Sequence, residues 1–117
     1  MDNNTLMYVA LAALAAFVLV RRLQNKKAPP SLVRQKLESG ARVIDVRSAQ
    51  EFAGGSFPKA QNIPLDSLPS RMGELPKDRT IVLFCASGAR SGKAARLLKK
   101  AGFTDVLSAG GLGDMPR

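Results

Sequence analysis

An unbroken apolar stretch near the N-terminus limits what this chain can fold into. Residues 6–20, LMYVALAALAAFVLV, carry no charged side chain. Extended to residues 5–23, the segment is about 19 residues long and spans roughly 28 Å as a helix, close to the bilayer core of about 30 Å, provided that Arg21 and Arg22 extend toward the interface. We therefore predict a transmembrane helix over residues 5–23, which leaves enough chain for one small domain.

The charges around this stretch predict its orientation. One acid and no base precede it, whereas Arg21, Arg22, Lys26 and Lys27 follow it. Basic flanks remain in the cytoplasm, so we expect a single-pass protein of the cell membrane, with residues 1–4 outside and the domain on the cytoplasmic side. A cleaved signal peptide, the alternative, has its positive charge before the apolar core and a small-residue cleavage site after it.

A small-residue pair in the predicted anchor bears on self-association. Ala12 and Ala16 lie one helical turn apart, a spacing that lets two membrane helices approach closely. A weak homo-oligomer through the anchor is one interpretation of the pair. Plain lipid-facing filler is the other, because alanine is common in such helices.

Charge and residue usage exclude several classes of function. The net charge is +9, but four of the basic residues cluster directly after the apolar stretch and the others are spread over the rest of the chain. No zinc-ligand spacing, aromatic interleaving or nucleic-acid motif accompanies them. We expect no nucleic-acid partner and favour a small anionic substrate or an anionic lipid surface. The sequence has one cysteine and no histidine, which excludes Cys–His and Ser–His–Asp catalysis. The lack of histidine also removes most zinc chemistry, and we expect neither a metal nor a cofactor.

The rest of the chain alternates strand and helix patterns. After a basic, proline-containing linker over residues 24–30, residues 31–117 form the predicted domain. This alternation predicts an α/β fold with a mainly parallel central sheet flanked by helices. The apolar pentad TIVLF is typical of a central strand covered on both faces. The expected strands are 41–47, 60–63, 80–84 and 105–108, and the expected helices begin at Ser31, Ser48, Asp66 and Ser91.

The single cysteine follows the predicted central strand, at the edge of the sheet where open parallel sheets bind ligands. Its small neighbours let several backbone N–H groups converge, and Arg90 and the next helix start add positive charge. Such settings lower a cysteine pKa from about 8.5 to between about 3.5 and 7.5. We predict that Cys85 is an accessible, reactive thiolate in a cradle of Ala86, Ser87, Gly88, Ala89 and Arg90. A buried packing cysteine is the alternative.

Four segments, in order, resemble those of single-domain rhodaneses, which are thiosulfate sulfurtransferase-like proteins. They are VIDVRSAQEF, GGSFPKAQNIPL, CASGARS and AGFTDVLSAGGL. The resemblance extends from about Ser31 to Leu112 and implies a small rhodanese-like domain. Two departures are Ser56, where the family usually has histidine, and Lys59, where it usually has glycine.

The resemblance also implies a chemistry. The Cys85 thiolate would attack the outer sulfur of thiosulfate, release sulfite and pass the resulting persulfide sulfur to cyanide or another thiol. The loop up to Arg90 would hold the anionic donor. Arg47 would add charge near the pocket or pair with Asp45 or Glu51. Asp45 and Ser91 are expected to be structural residues near the site.

Two other functions remain open at this point. A membrane-tethered persulfide carrier or docking module would hold sulfur with little turnover. Phosphatases and arsenate reductases of similar fold place five residues between cysteine and arginine. This loop has four, Ala86 to Ala89, which favours a single sulfur atom over a tetrahedral oxyanion.

Overall fold

A computed structural model describes residues 2–24 and 26–117. Met1, in the predicted outer segment, and Asn25, in the predicted linker, lie outside the described residues. The α-helices are α1 (Asn3–Gln24), α2 (Pro30–Glu38), α3 (Ala49–Ala53), α4 (Leu68–Arg71) and α5 (Ala89–Lys100). The strands are β1 (Arg42–Asp45), β2 (Gln61–Asn62), β3 (Ile81–Cys85) and β4 (Val106–Gly111), and 3₁₀ turns cover Leu65–Ser67, Met72–Glu74 and Leu112–Asp114.

Helix α1 contains the predicted membrane segment. Among the described residues, it is the one helix long and apolar enough to cross a membrane; its candidate span, Asn3–Leu23, has a mean hydropathy of 1.9 and no buried residue in the apolar window. A signal sequence would share these properties. The helix leaves large apolar side chains exposed, among them Leu14 at 58% and Phe17 at 59%. Pairing of two anchors through Ala12 and Ala16 stays a prediction.

The four strands form one parallel sheet in the order β2-β1-β3-β4, with β3 between β1 and β4. This confirms the predicted α/β fold with a parallel sheet flanked by helices. The strand bounds differ by a few residues: β1 ends at Asp45, β2 is only two residues long, and β4 continues to Gly111. The extension of β4 matters because its end lies beside the loop that follows β3.

Both faces of the sheet are covered, as the apolar pentad predicts. Side chains of β3 alternate between two apolar clusters, so that Leu83 and Cys85 belong to one, and Val82 and Phe84 to the other. The first cluster is closed by α4 and α5, through Leu68, Ala94, Ala95 and Leu98. The second is closed by α2 and the C-terminal turn, through Val33 and Met115.

The segment between α1 and α2 differs from the predicted tether. The backbone N–H of Ala28 donates to the Ser108 carbonyl at 2.7 Å, and Lys27 pairs with Asp114 at 2.9 Å. Ala28 also packs against the second apolar cluster. Within the predicted linker over residues 24–30, Lys27 and Ala28 therefore contact the domain beside the edge strand β4.

A second difference concerns the helix predicted to begin at Asp66. The chain first makes the 3₁₀ turn Leu65–Ser67, and α4 starts at Leu68 with no side-chain cap. Pro69 lies within the first turn of α4, where its missing N–H removes no helical hydrogen bond. The element exists, but Asp66 does not cap it.

Candidate functional site

Cys85 is the last residue of the central strand, and α5 begins four residues later. Gly88 is the N-cap of α5 with φ +109°, a left-handed conformation that glycine adopts without steric cost. The helix start predicted at Ser91 is therefore two residues late. The loop after the cysteine is only Ala86 to Gly88, and Ala89 and Arg90 belong to the first helical turn.

The sulfur of Cys85 lies among hydrogen-bond donors. The backbone N–H of Gly88 donates to Sγ at 2.9 Å, and Ser91 Oγ lies 3.6 Å from Sγ. Burial raises the pKa of the Cys85 thiol, but the Ser91 N–H and hydroxyl, with the N–H groups of Gly88 and Ser87, outweigh it and leave the pKa below its ordinary value. The donors stabilise the thiolate without any imidazole.

Cys85 itself is fully buried, with 0% of its surface exposed. The expectation of an accessible thiol is therefore wrong for this conformation. Ala86 and Ser87, which follow it, are exposed. The loop therefore lies on the surface, while the Cys85 side chain belongs to the first apolar cluster beneath it.

Ser91 joins the start of α5 to the end of β4. Its hydroxyl lies 3.0 Å from the Gly88 carbonyl, 3.1 Å from the Gly110 carbonyl and 2.9 Å from Ser108 Oγ. A hydroxyl has one hydrogen, so these carbonyls and the thiolate compete for it. Ser91 is fully buried, and besides joining these elements it contacts the sulfur of Cys85.

The end of β4 presses against the Cys85 loop. A Cβ placed on Gly111 would lie 2.3 Å from the Ala86 carbonyl oxygen and 3.4 Å from Ser87 Cα. The Gly110-Gly111 pair belongs to a segment that resembles the rhodanese family, but the sequence predicts no role for it in the site. The signal available was the placement of two glycines at the end of a predicted strand, which indicates close backbone approach.

Arg90 binds a carboxylate that was not predicted as its partner. Its guanidinium donates to the two carboxylate oxygens of Glu51 at 2.7 and 3.0 Å. These bonds, followed by one from the Ser48 N–H, lower the pKa of Glu51 to about 2. Arg90 was expected to stabilise the thiolate. The donors nearest to Sγ are N–H groups of the loop and Ser91, while Arg90, which pairs first with Glu51, also interacts with the Cys85 charge, so its contribution to the thiolate stays a prediction.

The start of α3 positions Glu51. Ser48 Oγ accepts the N–H of Glu51, and the Glu51 carboxylate accepts the N–H of Ser48, both at 3.1 Å, which is a capping box. The Ser-x-x-Glu spacing in the sequence carries the signal for this cap. Nothing in that local pattern indicates that the same carboxylate also reaches Arg90.

Asp45 and Arg47 form a buried ion pair behind the site. Arg47 contacts the Asp45 carboxylate at 2.7–3.0 Å and donates to the Gly55 carbonyl at 2.6 Å. Ser56, at the position where a histidine was expected from the resemblance, donates to Asp45 at 2.9 Å. These contacts are compatible with the structural role expected for Asp45, which stays a prediction. Of the two roles considered for Arg47, the structure shows the pairing with Asp45, and a contribution to donor binding stays a prediction.

Two small cavities border Arg90. One, of about 130 Å³, is lined by Val46, Ser48 and Leu65, and the other, of about 280 Å³, by Leu65, Ala89 and Lys93. Larger cavities, of about 620 and 630 Å³, include none of the predicted site residues. Within residues 2–24 and 26–117, no group of three or more His, Cys, Asp or Glu is placed to hold a metal ion.

The family model of the rhodanese-like domain matches residues 29–112, which include the β3 strand, the Cys85 loop and the Gly110-Gly111 pair. This chain belongs to the rhodanese-like domain family. The matched range begins beside Ala28, where the structure shows the chain joining the edge of the sheet.

Similar proteins cover between 73% and 91% of the chain. The uncharacterized protein YqhL of Bacillus subtilis is 31% identical over 109 residues, covering 91% of this chain and 86% of YqhL. The thiosulfate sulfurtransferase GlpE of Pseudomonas savastanoi pv. phaseolicola is 33% identical over 86 residues, covering 74% and 81%. The solved human single-domain sulfurtransferase TSTD1 superposes with a TM-score of 0.65 at 30% identity, covering 73% and 88%. Sulfur transfer is therefore the general chemistry that this rhodanese-like domain supports.

Proposed function

We propose that this chain is a membrane-anchored sulfurtransferase that moves sulfane sulfur from thiosulfate, or a similar anionic donor, to cyanide or another thiol through a persulfide on Cys85. The observation that best supports this proposal is the hydrogen bond from the Gly88 N–H to Cys85 Sγ at 2.9 Å, together with the lowered pKa of this thiol at the end of the central strand. Likeness to a relative named as a thiosulfate sulfurtransferase supports the choice of donor.

The reaction proceeds as two displacements. In the first, the thiolate attacks the outer sulfur of thiosulfate, the new S–S bond forms, and sulfite leaves with the electron pair of the broken bond. In the second, cyanide or a thiolate attacks the outer persulfide sulfur, forming thiocyanate or a new persulfide and regenerating the Cys85 thiolate. Splitting the transfer in two is covalent catalysis, and charge is conserved in each step.

The residues around Sγ have distinct roles in this scheme. The N–H groups of Ser87, Gly88 and Ser91 hold the anionic sulfur before and after the first displacement. The small residues of the loop leave room for the additional sulfur atom. Arg90, which borders the two small cavities and is held in place by Glu51, contributes its guanidinium to the binding of an anionic donor.

A thiocyanate assay with thiosulfate and cyanide tests the proposal. The full chain in detergent should produce thiocyanate, and Cys85→Ser should produce none above the uncatalysed rate. Ser87→Ala serves as the matched control, since it changes an exposed loop side chain but keeps the backbone N–H. Equal rates for wild type and Cys85→Ser would overturn the proposal.

A persulfide carrier with little turnover is the second candidate, favoured by the complete burial of Cys85. A sulfur atom held there is shielded from small acceptors until a partner opens the loop. Intact-mass measurement after thiosulfate treatment separates the two candidates. One retained sulfur with negligible thiocyanate production supports the carrier, whereas rapid loss of that sulfur on adding cyanide supports the enzyme.

The membrane placement is part of the same proposal. An α1 helix whose apolar side chains are exposed all round, followed by Arg21 and Arg22, supports a single-pass anchor with the domain on the cytoplasmic side. Protease digestion of oriented vesicles tests it. The domain should be cut in inside-out vesicles and protected in right-side-out ones, and release of the protein by alkaline carbonate would contradict the anchor.

A further inference from the structure

One face of α5 is strongly basic and points away from the core. The helix contains five basic residues and no acid. Ala94, Ala95 and Leu98 pack inward, so the basic side chains occupy the opposite side. We call this surface the α5 basic face and define it by Lys93, Arg96, Lys99 and Lys100.

The three lysines of this face have no carboxylate partner among the described residues. Among residues 2–24 and 26–117, no carboxylate lies within 4.0 Å of the ammonium groups of Lys93, Lys99 or Lys100. All three lysines are exposed. Their adjacent, like charges repel one another on an isolated helix, so an anionic surface that covers them would relieve this repulsion.

The α5 basic face is continuous with the basic end of the anchor. Arg21, in the last turn of α1, lines the same cavity of about 280 Å³ as Lys93 and Arg96. Lys26 lines a second groove, of about 270 Å³, together with Arg96 and Lys99. The result is one basic surface that extends from the end of α1 along α5.

The chain holds this arrangement close to the end of α1. Ala28 is hydrogen-bonded to Ser108 on β4, and Lys27 is paired with Asp114. Only a few residues therefore separate the last turn of α1 from a point fixed on the domain. If α1 ends at the membrane surface, the domain is restricted to positions close to the lipid headgroups.

We propose that the α5 basic face binds anionic phospholipid headgroups of the leaflet at which α1 ends. The inference rests on the membrane anchor under the proposed function. Anionic lipids attract basic residues near the surface, and the attraction falls off within a Debye length. Because the Cys85 loop precedes α5 directly, this contact holds the candidate sulfur site at the membrane surface, where a membrane-associated donor or acceptor would meet it.

Lysine footprinting of the full chain in vesicles tests the inference. The protein is reconstituted in phosphatidylcholine alone or mixed with phosphatidylglycerol, treated with an amine-acylating reagent, and analysed by mass spectrometry. We expect acylation of Lys93, Lys99 and Lys100 to fall several-fold in the anionic vesicles and to recover at high salt. Lys59, exposed on another part of the domain, is the internal control and should react equally in both lipids.

Charge-reversal variants extend the test. Lys93→Glu combined with Lys99→Glu should abolish the protection of Lys100 in anionic vesicles, whereas Lys59→Glu should leave it unchanged. Equal acylation in both lipids, with α1 still resistant to carbonate extraction, overturns this inference alone. Protection that is independent of lipid charge also overturns it, because a second copy or another protein then covers the face. Failure of the chain to remain with either vesicle overturns the anchor instead.

Discussion

Substituting alanine for Gly111 should force the end of β4 and the Cys85 loop apart. In Gly111→Ala the new Cβ would lie 2.3 Å from the Ala86 carbonyl oxygen, and 3.4 Å marks the start of ordinary contact. The backbone φ of −92° at this residue suits alanine, so only the contact opposes the change. The loop or the end of β4 must therefore retreat by about 1 Å, which is a typical overpacking change costing about 1–3 kcal/mol.

Three measurements report on this displacement. Thermal unfolding of the full chain should show a lower Tm, by about 4–8 °C for each kcal/mol in a domain of 60–100 residues. Sulfur transfer should fall more steeply, because the Gly88 N–H lies 2.9 Å from Sγ and a misplacement of about 1 Å can cost about 100-fold in rate. The alkylation profile of Cys85 should also move to higher pH as the N–H donors leave the sulfur.

Gly113→Ala is the matched control for this substitution. Gly113 lies two residues away, a Cβ added to it would meet no atom within 4 Å, and its backbone is not left-handed. Alanine there should leave activity unchanged and alter stability by no more than about 0.5 kcal/mol. If Gly111→Ala and Gly113→Ala behave alike in Tm and in sulfur transfer, the close approach of β4 to the loop does not support the site as argued.

Three further predictions concern the same domain. Ser91→Ala should shift the alkylation profile of Cys85 to higher pH because a hydroxyl donor is lost, whereas Ser87→Ala, which keeps its N–H, should not; equal profiles would refute the role of the hydroxyl. The pKa of Glu51, about 2 when folded, lies below its ordinary 4.5, so its stabilising contribution is complete above about pH 4.5 and is lost as the pH falls toward 2. Glu51→Gln should flatten that part of the stability curve in urea unfolding, and parallel curves would contradict the pairing. Lys59 has φ +64°, so Lys59→Gly should relieve left-handed strain and raise the free energy of unfolding, measured in urea, by up to about 1 kcal/mol. A lower free energy of unfolding in this variant would contradict the strain.

The sequence pattern was sufficient for the fold and for the location of the sulfur. An apolar pentad buried on both sides predicts a central parallel strand, and a cysteine at its end is thereby placed at the ligand-binding edge of the sheet. The helix start was predicted two residues late, because Gly88 with φ +109° allows the helix to begin directly after it. The spacing of the apolar side chains does not indicate where such a cap lies.

Contacts between distant parts of the chain were not predictable in the same way. Arg90 and Glu51 are 39 residues apart, and only the assembled sheet brings α3 and α5 together. The position of Lys27 and Ala28 on β4 was not predicted either, because a proline-containing basic segment is typical of a linker. In both cases the charged residues could equally have remained exposed to solvent, so the local sequence does not reveal the partner. Only the tertiary structure determines which residue each of them contacts.

The absence of histidine ties thiolate activation to the stability of the loop. A buried anion is costly unless donors surround it, and at Cys85 most of the donors are main-chain N–H groups, which do not titrate in the physiological range. They are effective only while Gly88, Ser91 and the end of β4 hold the loop in place. Any displacement of the loop therefore also weakens the stabilisation of the thiolate.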